Sequence, residues 1–100
     1  MVSTVIVIDP RDNVATATAD LKAGDTVEVV GGQARMRVLH GIPFGHKMAL
    51  CGIAQGCPVI KYGQVIGTAT RDICDGEHVH VHNVDSMRGR GDIRREEESE

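Results

Sequence analysis

Short segments in which apolar and polar residues alternate run through most of the first 85 residues of the chain. A period of two with many β-branched residues, interrupted by glycine, is typical of strands that bury one face. The pattern predicts about eight short strands, at residues 4–8, 14–19, 26–30, 34–39, 47–51, 58–62, 64–69 and 77–84. No window of about a dozen residues has the helical period, so the predicted fold class is all-β.

A pattern of the form apolar-x-x-Gly-x-x-apolar occurs four times in the chain. Its central residues are Gly24, Gly45, Gly56 and Gly76. Each copy is predicted to form an apolar anchor, then a turn and then a strand, because glycine adopts the positive φ that such turns need. The copies are unevenly spaced, which favours a compact domain of bent hairpins over a solenoid.

The end of the chain differs from the rest. Residues 86–100 contain four arginines and five acidic residues, and almost nothing that could be buried. Such a segment cannot offset the entropy of ordering, so we expect a mobile charged tail. Residues 1–85 are expected to form a single domain, which is what a chain of 100 residues allows.

Composition and charge argue against two kinds of partner. The formal net charge is −3, whereas a nucleic-acid-binding domain needs a basic face. Phe44 and Tyr62 are the only aromatic residues of the Phe, Tyr and Trp class, so platforms for stacking bases are excluded. No apolar run approaches the roughly 18 residues of a membrane span. Neither a nucleic acid nor a membrane is therefore expected as a partner.

The sequence is expected to be that of a cytoplasmic protein. No basic region precedes the apolar N-terminal segment, as it would in a signal peptide. The three cysteines, Cys51, Cys57 and Cys74, are odd in number and lack Cys-x-x-Cys spacing. They are predicted to be reduced and mostly buried thiols, and not a disulfide framework or a zinc site.

Three of the five histidines lie close together, as His78, His80 and His82. Alternate residues of a strand share a face, so these three are predicted to project together while Val79 and Val81 enter the core. Next-but-one residues lie about 6.5–7 Å apart, which lets two imidazoles converge on one metal ion. The alternative interpretation is a solvated polar face that happens to be rich in histidine.

His46 and Lys47 form a second candidate site after a predicted turn. A cationic lysine suits a carboxylate substrate, and histidine can move protons near neutral pH. A surface pair without function is the alternative.

Asp12 and Asn13 have the chemistry of a turn or loop cap. No motif of a serine nucleophile or a phosphate loop is present, and the loops are too short to enclose a substrate alone. The rest of any site is therefore expected from another chain.

Four segments of the sequence resemble the N-terminal module of the altronate/galactarate dehydratase family. They are DNVA (residues 12–15), IPFGHKMAL (42–50), VIKYGQVIG (59–67) and GEHVHVHN (76–83), in the order of the family. This module is a SAF domain, so the resemblance implies the β-clip fold that is shared with type III antifreeze proteins. The resemblance covers about residues 5–85.

The resemblance implies the small subunit of a metal-dependent sugar-acid dehydratase. Family members eliminate water from 2,3-dihydroxy acids such as altronate or galactarate with divalent iron or manganese, and a related sulfolactate sulfo-lyase eliminates sulfite. In many members the module is fused to a large catalytic region, and in others it is a separate subunit. The implied partner is thus a large catalytic subunit that holds most of the metal ligands, and the chain is not expected to be active alone. A homo-oligomer is also compatible with the sequence.

The resemblance and the chemistry together assign roles to five residues. His46 and His80 are the implied catalytic residues, and Lys47 and Asn83 are the implied substrate-binding residues. His80 and His82 are the candidate metal ligands, with further ligands from the partner chain.

Other interpretations stay open at the level of sequence. His78 stands where relatives vary between histidine and an aromatic residue, so its role is undecided. The chain could be the small subunit of a sulfolactate sulfo-lyase. It could also be a non-catalytic binding or assembly module, because β-clip domains occur in flagellar and pilus assembly factors and in sialic acid synthases. A regulator that binds a sugar acid without a partner chain is a further alternative.

Overall fold

The structure is a computed structural model that describes residues 3–32 and 35–86. The described residues form nine strands and no helix, which confirms the all-β prediction. The strands are β1 (Ser3–Ile6), β2 (Val14–Ala17), β3 (Thr26–Val30), β4 (Arg35–Arg37), β5 (Lys47–Ala49), β6 (Pro58–Lys61), β7 (Gln64–Ala69), β8 (His78–Val79) and β9 (Val84–Ser86). This part of the chain therefore offers no helix of the length and apolar character that a bilayer crossing needs.

Within the described residues the strands form two sheets. The larger has the order β4-β3-β1-β2-β5-β8, and the smaller has the order β6-β7-β9. Every pair is antiparallel except β1 and β3, which run parallel. Burial alternates along β3 as the sequence pattern predicts, with Val27 and Val29 buried and their neighbours exposed.

Strands β2 and β5 lie between two apolar cores. Ala15 and Met48 belong to the first core, while Val14 and Ala49 belong to the second. Successive side chains of a strand point to opposite faces, so both faces of these two strands are buried. Lys47, the first residue of β5, is consequently half-buried although it is charged.

The four glycine repeats adopt one local structure. The apolar anchors pair with each other as isolated bridges, Leu21 with Ile42 and Ile53 with Ile73. In the turn that follows each anchor, a carbonyl accepts a hydrogen bond of 2.9–3.1 Å from the N–H three residues later. The glycine is the third turn residue with φ between 83° and 93°, as in type II turns. The predicted sequence of anchor, turn and strand is confirmed.

The predicted strand at 77–84 is interrupted. β8 ends at Val79, the chain turns over residues 80–83, and β9 begins at Val84. The N–H of Asn83 donates to the His80 carbonyl at 3.1 Å, which closes this turn. Val81 is therefore 81% exposed, so the prediction that it enters the core is wrong. The predicted tail lies outside the described residues except for Ser86, which is the last residue of β9.

The three cysteines are free and exposed, which corrects the prediction of mostly buried thiols. Cys57 and Cys74 are the last and first residues of glycine turns, and their side chains face outward. The adjacent anchors Ile53 and Ile73 take the buried positions, with exposed fractions of 3% and 2%.

Candidate functional site

The pairing of β5 with β8 brings the two histidine segments together. Lys47 lies opposite Val79 in this antiparallel pair. Continuing the register by one residue places His46 opposite His80. Their rings stack with centroids 4.1 Å apart and planes inclined by 19°. Two candidate sites that are more than thirty residues apart in the sequence thus form a single site.

Three imidazoles form what we call the histidine cluster, namely His46, His78 and His80. The Nδ1 of His46 and the Nε2 of His78 are hydrogen-bonded at 2.9 Å. One of these two nitrogens must accept, so the pair holds at least one unprotonated nitrogen. The rings of His78 and His80 lie 5.6 Å apart, and that of His82 lies 5.1 Å from His78 at a tilt of 41°.

The surroundings of His78 and His80 favour the neutral form of these two imidazoles. Burial is the main cause that lowers the pKa of His78 to about 4. Positive charge on its neighbours lowers it further, and these neighbours are His82, His46, His80 and Lys47. Burial also lowers the pKa of His80, as do His46, Lys47 and His82. Protonation of His78 or of His80 is therefore disfavoured, because each would lose solvation and face the positive charge of its neighbours.

Lys47 and His80 share a pocket of about 210 Å³ beside the cluster. The other lining residues are Ile66, Val81, Val84 and Ser86. The lining contains no carboxylate, and no salt bridge of the described residues involves Lys47. Burial, and then the charge of Lys61, lowers the pKa of Lys47. An ammonium group and an imidazole over an apolar wall suit an anionic ligand. A larger groove along β4 contains none of the predicted site residues.

Asn83 does not lie in this pocket. It is 0% exposed, its Oδ1 accepts from the His80 N–H at 3.0 Å, and its Nδ2 donates to the His78 carbonyl at 2.9 Å. The Nδ2 also donates to Oε2 of Glu77 at 3.4 Å. Both ends of the amide are thus engaged within the chain, and the substrate-binding role expected of Asn83 stays a prediction.

The donor groups of the cluster fit a metal ion. His46, His78 and His80 each offer a ring nitrogen, and these nitrogens lie within 4.8 Å of one another. Imidazole is a common ligand of divalent transition metals. The sequence pointed to His80 and His82, but His82 is not a member of this group. The sequence analysis left the role of His78 undecided, and the structure places His78 in the group through the pairing of β5 with β8.

Residues 3–87 match the family model of the altronate/galactarate dehydratase SAF domain. The chain belongs to this family. It is 49% identical over 79 residues to the altronate dehydratase of Escherichia coli K12 and 40% identical over 79 residues to that of Bacillus subtilis 168. Each match covers 79% of this chain and 16% of the relative, so the chain spans about a sixth of these enzymes. It is also 46% identical over 54 residues to the (2R)-sulfolactate sulfo-lyase subunit alpha of Chromohalobacter salexigens, a match that covers 54% of this chain and 57% of that protein.

A loop away from the pocket has the capping role that its sequence suggests. In this SAF domain Asp12 Oδ1 accepts from the Gly63 N–H at 2.8 Å. Asn13 Oδ1 accepts from the Ile60 N–H at 2.7 Å, and its Nδ2 donates to the Pro58 carbonyl at 2.9 Å. These side chains hold the loop before β2 against the hairpin of β6 and β7.

We expect the SAF domain to lose stability as the pH falls from about 6.5 to about 4. The pKa of His78 is lowered from 6.5 to about 4 in the folded state, so the unfolded chain binds more protons in this range. Since His78 is partly exposed, solvent screening leaves about 1–2 kcal/mol of the effect. Urea unfolding at several pH values, with a chelator present, measures how the free energy of unfolding depends on pH. His78→Gln should flatten the dependence relative to the exposed His40→Gln, and an equal slope in both variants would contradict the assignment.

Proposed function

We propose that the SAF domain is the small subunit of a metal-dependent sugar-acid dehydratase and acts with a large catalytic chain. The observation that carries the proposal is the pocket in which Lys47 and His80 meet without a carboxylate in the lining. Such a pocket attracts the carboxylate of a sugar acid. The dehydratases among the relatives are consistent with this substrate class, and their greater length is consistent with a catalytic region outside this domain.

The reaction proposed is elimination of water across C2 and C3 of a 2,3-dihydroxy acid. Lys47 binds the substrate carboxylate, which fixes C2 next to the histidines. The lowered pKa of His80 favours its neutral form, so its unprotonated ring nitrogen can accept and pass on a proton in the arrangement in which His80 is not a metal ligand. His46 stacks on His80 and keeps that ring in place. The C2–H bond breaks, the C2–C3 double bond forms, and the C3 hydroxyl leaves as water after protonation. The principal base is assigned to the catalytic chain.

The metal ion is assigned to the histidines of the SAF domain together with ligands from the catalytic chain. His46, His78 and His80 would hold it, since their nitrogens already lie within 4.8 Å. The lowered pKa values of His78 and His80 keep their lone pairs free at neutral pH. The pair His80 and His82, predicted from the sequence, is the second arrangement. A bound divalent iron or manganese ion supplies Lewis-acid stabilisation of the developing enolate charge.

A sulfolactate sulfo-lyase is the second candidate function. The match to a protein named as subunit alpha of that enzyme favours it, because the chain covers more than half of that relative and only a sixth of the dehydratases. A sulfonate-bearing acid is also an anion that Lys47 could bind. The same pocket serves both functions, and the leaving group then depends on the catalytic chain.

The assembled complex with its catalytic chain tests the proposal. We expect it to convert altronate or galactarate to a 2-keto-3-deoxy acid, with activity lost on chelation and restored by divalent iron or manganese. Neither chain alone should be active. Sulfite release from sulfolactate would instead establish the second function. A chain that has no catalytic partner and binds a sugar acid by itself would overturn both in favour of a binding module.

Replacing Lys47 with methionine is expected to weaken substrate binding in that complex. Methionine keeps the length of the side chain but removes the charge, and a hydrogen bond to a charged group contributes about 1.5–3 kcal/mol. KM should therefore rise about 10- to 150-fold with a smaller change in kcat. Steady-state kinetics measures both parameters. Lys22→Met, at an exposed turn, is the control, and equal KM values in the two variants would exclude Lys47 from binding.

A further inference from the structure

We infer that Asn83 is the positioning residue of the histidine cluster and that Glu77 holds it in that role. The buried amide of Asn83 fixes the backbone of His78 and His80, and it thereby sets the placement of both rings against His46. The effect on catalysis rests on the proposed function, whereas the effect on geometry does not.

Strand β8 has few contacts of its own to fix its position. It contains two residues, His78 and Val79, and among the residues that the structure describes it pairs only with β5. A strand this short forms too few ladder hydrogen bonds to define its position firmly. The chain also reverses directly after it, so His80 lies outside the strand. Ala49 bonds to the backbone of Gly76 and Glu77 and so anchors the start of β8, while the N–H of His80, past its end, bonds to the side chain of Asn83 and not to β5.

The amide of Asn83 supplies contacts on both sides of Val79. Its Oδ1 accepts from the backbone of His80, and its Nδ2 donates to the backbone of His78. The main chain of Asn83 is fixed as well, since its N–H donates to the His80 carbonyl and its carbonyl accepts from Thr70 at 2.9 Å. One buried side chain thus spans the two backbone positions that carry the histidines.

Glu77 extends the same network to the turn before β8. It is 8% exposed, and its Oε1 accepts from the Cys74 N–H at 2.9 Å while its Oε2 accepts from Asn83. The glycine turn at 74–77 and the turn at 80–83 are therefore linked through two side chains. Both ends of β8 are held, which leaves the rings little freedom to move relative to β5.

Asn13 provides a matched control within the same chain. Its amide also accepts from one backbone N–H, that of Ile60, and donates to one carbonyl, that of Pro58. It has no hydrogen bond to the cluster, because it joins the loop before β2 to β6. Asn13→Ala and Asn83→Ala each remove a side-chain amide that bridges two backbone groups. Only Asn83→Ala removes the hydrogen bonds to the backbone of His78 and His80.

The experiment compares these variants in the full chain without metal by NMR. Cross-relaxation between the ring protons of His46 and those of His78 and His80 reports the cluster geometry. We expect Asn83→Ala to lose these signals and Asn13→Ala to keep them. In the assembled enzyme kcat should fall at least tenfold for Asn83→Ala and stay within twofold for Asn13→Ala. Unchanged ring signals in Asn83→Ala would overturn the inference.

Asn83→Asp keeps the test decisive if the alanine variant does not fold. Aspartate retains an oxygen for the His80 N–H, but it places a second oxygen against the His78 carbonyl and Glu77. We expect the His46–His78 signals to disappear and the His46–His80 signals to persist, and retention of both would overturn the inference. Lost signals together with an inactive wild-type complex would leave the positioning role standing and remove the proposed function.

Discussion

In the proposed complex with a catalytic chain, substituting His80 with alanine is expected to lower turnover by about 10²–10⁴-fold, the usual contribution of a group that transfers protons. His80 lines the pocket with Lys47, stacks on His46 and has a lowered pKa that keeps its ring neutral. The domain should remain folded, because His80 belongs to neither apolar core and its backbone, not its ring, is bound by Asn83. Steady-state kinetics and urea unfolding of the same preparation measure the two effects.

Three other histidine variants show whether the loss of turnover is specific to His80 and which histidines hold the metal ion. His40→Ala changes an exposed residue outside the cluster and should leave turnover unchanged. If the histidine cluster holds the metal ion, His78→Ala should lower both turnover and metal content while His82→Ala changes them little. If the pair predicted from the sequence holds the ion, His82→Ala should have the larger effect. Full activity in His80→Ala would remove His80 from the catalytic site.

The local elements of this fold could be predicted because each is encoded in a short segment. The alternation at 26–30 fixes which residues of β3 are buried, whatever that strand pairs with. The four glycine repeats contain both the anchor and the turn within seven residues, and all four have the predicted structure. Such features depend on neighbouring residues alone, so the sequence pattern is sufficient to predict them.

The site could be predicted only in part because it depends on contacts between distant segments. His46 and His80 were both predicted to be functional. The alternation of apolar residues within a strand, however, does not determine that β5 pairs with β8, or in which register. Register therefore decides that His78 joins His46 while His82 does not. The alternation at 78–82 also predicted a buried Val81, whereas the bond from the Asn83 N–H to the His80 carbonyl closes a turn there and Val81 is exposed.

The glycines of the repeats look alike in the sequence, but the structure predicts very different results for their substitution. Gly76→Ala is expected to destabilise the domain by about 2–5 kcal/mol, whereas Gly24→Ala should cost about 1–2 kcal/mol. Both residues have positive φ, +83° and +93°, so alanine is strained at either position. A Cβ at Gly24 would meet nothing within 4 Å, while one at Gly76 would collide with the carbonyl oxygen of Arg37.

The additional cost at Gly76 arises because its turn is packed against the backbone after β4. The Gly76 carbonyl accepts from the Leu39 N–H at 2.8 Å, so the two segments cannot separate without losing this bond. Urea unfolding of both variants gives the two free energies. Gly45→Ala is a second control, since φ is +83° there and a Cβ would again meet nothing within 4 Å. Equal losses in the three variants would mean that backbone strain alone acts at Gly76. A larger loss at Gly76 would establish close packing of the turn that leads into β8, and therefore into the histidine cluster.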